Sequence, residues 1–273
     1  MDVACSVASP LLPASRAKRG IFSAAIEPLR RRSLASLGMT GAVLSLSAAL
    51  EAGCVQAQTD EQRWRTARER LVAEQLIPQG ISDPATLAAM RAVPRHEFVP
   101  RDQRPYAYEN TPLPIGHDQT ISQPVIVALM TQLVRPRPGM RVLEVGTGSG
   151  YQAAVLAETG ARVWTIEIFR ALAEEAKGRL ARLGYRAVTV RHGDGYAGWA
   201  EEAPFDAIVV TAGADSIPPA LIEQLAPRGR LIMPVGDPLL DQELVLVEKD
   251  GAGRVVSKRL LPVRFVPLLR GVR

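Results

Sequence analysis

Between residues 142 and 150 the chain reads Val142-Leu143-Glu144-Val145-Gly146-Thr147-Gly148-Ser149-Gly150, an apolar run that ends in three alternating glycines. Glycines at a strand-to-helix turn let the main chain approach a ligand closely. A dinucleotide turn would follow G-x-G-x-x-G, but position 151 is Tyr and the third glycine arrives at Gly150, which leans away from NAD. Glu144 is expected at the mouth of the turn, where a carboxylate suits a cation better than a pyrophosphate. Glu167 closes the next apolar run 21 residues after Gly146, the place for an acid that accepts hydrogen bonds from ribose hydroxyls. Asp194, between Gly193 and Gly195, offers a further acid at the same edge. Singly, each acid has an ordinary role open to it, as a solvated strand end or a turn former. Together they fit S-adenosylmethionine, a ribose ligand with a positive sulfonium and no phosphate.

Elements able to hold such a turn follow from periodicity. From Arg141 onward, short β-rich runs alternate with helical ones: Arg141 to Val145, Arg162 to Glu167, Ala187 to Arg191, Phe205 to Val210 and Arg230 to Pro234. That alternation predicts an α/β fold, a doubly wound, mostly parallel sheet with helices on both faces. Leu172, Ala176, Leu180 and Leu183 form one helical stripe that Gly184 stops, and Pro218-Pro219 starts another helix. Runs 243–249 and 254–261 flank Asp250-Gly251-Ala252-Gly253, the signal for a C-terminal antiparallel hairpin. Ahead of the sheet, residues 60–76 read as an amphipathic helix ended by Gly80, and Asp83-Pro84 opens a second one through about Ala92. Pro94, Pro100, Pro105, Pro112 and Pro114 then argue for a long irregular loop, which in a compact domain is usually functional.

Composition narrows the chemistry. With 47% apolar and 22% charged residues, the chain can bury a core. Arg30-Arg31-Arg32, an uncharged stretch from Ser33 to Leu50 and the small residues around Val55-Gln56-Ala57 have the layout of an export signal, with a weak twin-arginine pattern at Arg31-Arg32. The alternative is a translation start assigned too far upstream. The domains are therefore a leader over 1–57 and a body over 58–273, with helices and the loop in 58–135 and the sheet core in 136–273. Removing the leader lowers the formal net charge from +5 to +2, too small for a nucleic-acid footprint. Both cysteines, Cys5 and Cys54, lie in the leader, so the body has no thiol nucleophile, disulfide or Cys-zinc site. His96, His117 and His192 show no ligand spacing, and no metal is expected. The uncharged stretch falls short of a stable membrane span.

The segment Pro112-Leu113-Pro114-Ile115-Gly116-His117-Asp118-Gln119-Thr120-Ile121-Ser122-Gln123-Pro124 resembles the signature of protein-L-isoaspartate O-methyltransferases. Val93-Pro94-Arg95-His96-Glu97-Phe98-Val99-Pro100, the glycine turn, Gly193-Asp194-Gly195, Gly229 to Gly236 and Arg264 to Leu268 match in the family's order, so the resemblance covers residues 60 to 270. It implies a Rossmann-like methyltransferase fold and a protein carboxyl O-methyltransferase. Such an enzyme moves a methyl from S-adenosylmethionine to the carboxylate of an L-isoaspartyl residue in a damaged protein or peptide. The ester then collapses to a succinimide that opens partly to aspartate. Carried over residue by residue, the resemblance puts Ser122 in the catalytic role. It puts Gln119, Thr120, Glu144, Gly146, Thr147, Gly148, Gly150, Glu167 and Asp194 on the donor. Ile121, Ser122, Arg264, Val266, Pro267 and Leu268 fall to the substrate. It also implies a monomeric cytoplasmic enzyme with damaged proteins as partners, and the leader is the departure from that pattern.

The chemistry suits these residues. An isoaspartyl carboxylate is ionised at neutral pH, so the nucleophile needs no general base, and His192 reads as a strand-end residue. A carboxylate and a sulfonium neutralise each other in the transition state, so an ion pair to the carboxylate would favour the ground state, whereas a serine hydroxyl avoids that. Ser122 also has an ordinary reading as the cap of a helix marked by Pro124, and Arg264 to Leu268 as a final core strand. Other functions stay open: a methyltransferase for a small molecule or nucleic acid, a noncatalytic S-adenosylmethionine sensor, or a dehydrogenase. Thr211-Ala212-Gly213-Ala214 stands where a base-amine methylase would carry Asn or Asp before Pro-Pro-aromatic.

Overall fold

The computed structural model describes residues 59–237 and 241–272. The expected leader and its boundary at Ala57 lie outside the described residues. Residues 59–70 form helix α1, which widens into a π-helical stretch, Leu71–Leu76, and ends through a 3-10 turn, Ile77–Gln79, at Gly80 with φ +87°. Helix α2, Pro84–Ala92, starts where proline allows it, with the Asp83 carboxylate accepting the Thr86 amide at 2.8 Å. Both helices fall where periodicity places them.

The proline-rich stretch is more ordered than expected. Arg95–Phe98 and Arg101–Tyr106 are 3-10 turns. Leu113–Gly116 (β1) and Gln119–Ile121 (β2) form an antiparallel hairpin across His117 and Asp118, whose φ values are 52° and 55°. Pro114 is tolerated because each strand of a two-stranded ribbon keeps an open edge, where a missing N–H strands no partner. The hairpin hides from sequence because its turn uses His-Asp rather than the glycine or asparagine that usually supplies two left-handed residues. Helix α3, Pro124–Val134, follows directly and takes a distant cap: the Val125 amide donates to Asn110 Oδ1 at 3.0 Å.

The sheet has seven strands in the order β5-β4-β3-β6-β7-β8-β9. They are β3 (Arg141–Val145), β4 (Arg162–Glu167), β5 (Val188–His192), β6 (Phe205–Val210), β7 (Leu225–Gly236), β8 (Gln242–Lys249) and β9 (Val255–Val263). The first five are parallel, and β8 and β9 close the sheet as an antiparallel hairpin. Three strands match the sequence limits, while β7 runs longer at both ends. Alternate residues feed two cores, as the two-residue period of a doubly covered sheet requires. Val142, Val163, Val209 and Ile232 pack with Met130 of α3 and Leu156 of α4 (Tyr151–Glu158). Leu143, Ile166, Ile208 and Leu231 pack with Leu221 of α6 (Pro219–Gln224). Helix α5, Arg170–Arg182, turns Leu172 and Leu180 inward, and its contacts reach β4 and β5. Among the described residues, no helix is long and apolar enough to cross a membrane.

This order reverses direction between β3 and β6: the chain moves outward from β3 to β5, then returns to the far side of β3 at β6. Loops leaving the carboxyl ends of β3 and β6 therefore diverge, and the crevice between them is where an open α/β sheet binds its ligand.

Candidate active site

A cleft of about 750 Å³, open to solvent, occupies that crevice. Its floor is the glycine turn. Gly146 has φ +97°, and a Cβ there would stand 2.3 Å from Thr211 Oγ1, so only glycine fits. The Thr211 hydroxyl donates to the Gly146 carbonyl at 2.6 Å, and its amide donates to Val145 O at 2.8 Å, locking the two diverging loops together. No local pattern announces this contact of Thr211, because its partners lie 65 and 66 residues earlier.

Of the expected donor residues, Gln119, Thr120, Gly146, Thr147, Gly148, Glu144 and Glu167 line the cleft. Glu167 is 4% exposed, and three main-chain amides orient its carboxylate: Gly148 at 2.7 Å, Ile168 at 2.9 Å and Phe169 at 3.0 Å. Gly150 does not line the cleft; it is the N-cap of α4, with φ +88°. Asp194 also stands outside the lining. Its carboxylate accepts the Tyr196 amide at 2.9 Å and the Gly271 amide at 3.0 Å, the turn-forming role open to it from sequence, and ties down the C-terminal tail. His192 sits at the end of β5 with Nε2 3.1 Å from Ile168 O and is likewise outside the lining.

Glu144 differs most from expectation. It is not at the mouth of the turn but fully buried beneath the cleft. The Thr165 hydroxyl donates to its Oε2, and Thr147 Oγ1 lies 2.7 Å from Thr165 Oγ1. Burial pushes the Glu144 carboxyl up to about 8; the Thr165 hydrogen bond opposes this and the neighbouring Glu167 charge adds to it. Glu144 Oε1 is buried with no hydrogen-bond partner, and so is Oε1 of Gln152, another lining residue. No lysine or arginine is among the described residues that line the cleft. Two orphaned acceptors, an oriented carboxylate and a main-chain cradle fit a cationic ribose-bearing donor and do not fit a pyrophosphate.

On the other wall, β2 presents Ile121, and Ser122 follows directly after it. Ser122 does not cap α3; the N-cap is Gln123, and the Ser122 hydroxyl has no partner among the described residues. Its carbonyl is held by Arg95, which is 0% exposed, donates from Nη2 to Ser122 O and from Nε to Ala107 O, both at 2.9 Å, and lies over the Tyr151 ring. In the sequence Arg95 is marked only by its place in the Val93 to Pro100 segment. Thr120, Ser122, Thr211 and Val266 also line a second hollow of about 680 Å³, together with Arg264. The expected substrate residues Val266, Pro267 and Leu268 edge the donor cleft, while Arg264 reaches only the second hollow, exposed and without a partner among the described residues.

A crevice at the sheet reversal, floored by a glycine turn and lined by carboxyl groups without a cation, defines the class of S-adenosylmethionine-dependent transferases. Comparison with known proteins narrows it. The family model described as protein-L-isoaspartate(D-aspartate) O-methyltransferase matches residues 67–273. Protein-L-isoaspartate O-methyltransferase 2 of Syntrophobacter fumaroxidans is 54% identical over 243 residues, 85% of this chain and 98% of that protein. The enzyme of the same name from Gloeobacter violaceus is 58% identical over 200 residues, 73% of this chain and 97% of that protein. A solved protein-L-isoaspartate O-methyltransferase is 35% identical with a TM-score of 0.66, covering 73% of this chain and 65% of that one. A Plasmodium falciparum structure of this type, in complex with S-adenosyl-L-homocysteine, is 27% identical with a TM-score of 0.64, covering 76% of this chain and 99% of that one. The chain belongs to the protein-L-isoaspartate O-methyltransferase family.

The buried Glu144 makes stability depend on pH. Its carboxyl is raised from the ordinary 4.5 to about 8, so the folded state favours the proton. The stabilisation from that proton is complete below pH 4.5, declines as pH rises toward 8 and is gone above it. Glu144→Gln should therefore match wild type near pH 5 and exceed it by more than about 1 kcal/mol at pH 9 in urea denaturation. A wild-type-to-variant difference that stays constant across this range would contradict the assignment.

Proposed function

We propose that this chain transfers the methyl group of S-adenosylmethionine to the free carboxylate of L-isoaspartyl residues in damaged proteins and peptides, with Ser122 aligning that carboxylate. When bound, S-adenosylmethionine supplies an electrophilic methyl on a positively charged sulfur. The observation that carries the reading is the place of Ser122: an unpartnered hydroxyl on the wall shared by the donor cleft and the second hollow.

The division of labour follows from the chain's own groups. Glu167, held by three amides, is placed to accept from ribose hydroxyls, and the buried Glu144 and Gln152 give the donor's cationic end a floor without positive charge. Arg95 fixes the Ser122 main chain, so the hydroxyl projects from a rigid support. The hydroxyl donates a hydrogen bond to the substrate carboxylate and aims one oxygen at the methyl, a positioning role that needs no proton transfer. The carboxylate oxygen forms the new bond to the methyl carbon as the sulfur–carbon bond breaks, giving a methyl ester and neutral S-adenosylhomocysteine. Arg264 stands exposed at the rim of the second hollow, where its charge attracts the anionic substrate without pairing at the reacting atoms. Arg264 to Leu268 supplies main-chain groups to the flanking peptide, a mode tolerant of sequence.

Purified protein should transfer labelled methyl to an isoaspartyl peptide and not to its aspartyl twin; equal labelling of both, or of neither, contradicts the reading. Ser122→Ala should lower kcat about tenfold or more, the worth of one transition-state hydrogen bond, with S-adenosylhomocysteine affinity unchanged within about twofold. Unchanged kcat would reduce Ser122 to a structural residue. We place the working enzyme in the cytoplasm with its family. N-terminal sequencing of protein from fractionated cells checks this, and a mature chain starting at Gln58 in the periplasmic fraction would overturn it.

A further inference from the structure

Strand β9 ends at Val263, opposite Gln242 of β8, and the chain then leaves the sheet. Its course through Arg264–Leu268 is held at two anchors. At one, the Gly213 amide donates to Val266 O at 2.8 Å and the Leu268 amide donates to Gly213 O at 2.7 Å. At the other, a single side chain takes both main-chain groups of Phe265. The Phe265 amide donates to Gln242 Oε1 at 2.8 Å, and Gln242 Nε2 donates to Phe265 O at 3.0 Å. Gln242 is 2% exposed and its amide is satisfied as a neighbouring strand would satisfy a peptide group. The two anchors touch: a Cβ on Gly213 would stand 2.5 Å from Gln242 Nε2.

Phe265 is thus committed to Gln242 and the Val266 carbonyl to Gly213, while the Val266 amide has no hydrogen bond among the described residues. We infer that Gln242 is a positioning residue for substrate: by clamping Phe265 beside the Gly213 anchor it holds residues 264–268 in the course that is offered to the damaged peptide. This rests on the reading that this segment takes the peptide. Gln242 lines neither the donor cleft nor the second hollow, so it acts through Phe265 and leaves donor and reacting atoms untouched.

The test separates binding of the two substrates. Gln242→Glu keeps an acceptor for the Phe265 amide but sets a second oxygen against the Phe265 carbonyl, and Gln242→Leu removes both bonds. In each, KM for an isoaspartyl peptide should rise about tenfold, with kcat and S-adenosylhomocysteine affinity within about threefold of wild type. In unmutated protein, the Phe265 amide should be protected from hydrogen exchange before peptide is added, and the Val266 amide only once peptide and S-adenosylhomocysteine are both present. Unchanged KM in the folded variants, donor affinity falling in step with KM, or early exchange of the Phe265 amide would each overturn the proposal. Arg264→Ala, measured alongside, locates the fault. If it raises KM while the Gln242 variants do not, the clamp alone is refuted; if none of them moves KM, the segment's role as substrate holder falls as well.

Discussion

Two loops that leave the sheet in opposite directions are joined at one contact, the Thr211 hydroxyl on the Gly146 carbonyl. The contact is possible only because residue 146 lacks a Cβ and takes a φ of +97°. From it follow the floor of the donor cleft, the direction in which Gly148 offers its amide to Glu167, and the wall that Thr211 shares with the second hollow. A side chain at position 146 would push Thr211 away and, with it, the wall that Thr211 gives to both hollows. The crossing of the sheet puts a crevice there; the missing methyl group makes it deep enough to use.

Charge in the cleft is arranged by omission as much as by placement. Its lining carries two carboxyl groups and no cation among the described residues, which suits a positively charged donor. One carboxyl, Glu167, is pinned by main-chain amides, and the other, Glu144, is buried against two threonines and favours the proton. Nearby cations are kept from the reacting centre. Arg95 is consumed by carbonyls under Tyr151, and Arg264 stands out at the rim. In the proposed reading the neutral Ser122 hydroxyl is left to meet an anion, as charge neutralisation in the transition state calls for.

Periodicity and punctuation made much of this legible. Strands over 141–145, 162–167 and 205–210, the leucine stripe of α5 and the closing hairpin are local patterns, and each appears where local pattern puts it. What local pattern does not announce shares a cause as well. Glu144 reads as an exposed acid because a strand end is usually solvated, yet Thr165 on the adjacent strand gives it a buried partner. Asp194 reads as a donor group, and its hold on the tail returning at Gly271 carries no local signal. Arg95, Asn110, Thr211 and Gln242 carry no local signal. Their work is done on main-chain groups 12 to 66 residues away, and only the fold brings those groups to them.

Because Thr120, Ser122, Thr211 and Val266 line both hollows, the proposed reading gives each reactant its own doorway. On that reading a bulky client need not thread itself past the nucleoside; a short kinked stretch leaning against the exposed rim beside Arg264 suffices. With the two openings separate, the length and shape of the rest of the client would be matters of indifference to the catalyst. A repair enzyme that must serve many unrelated polypeptides is thereby freed from recognising any of them as a whole.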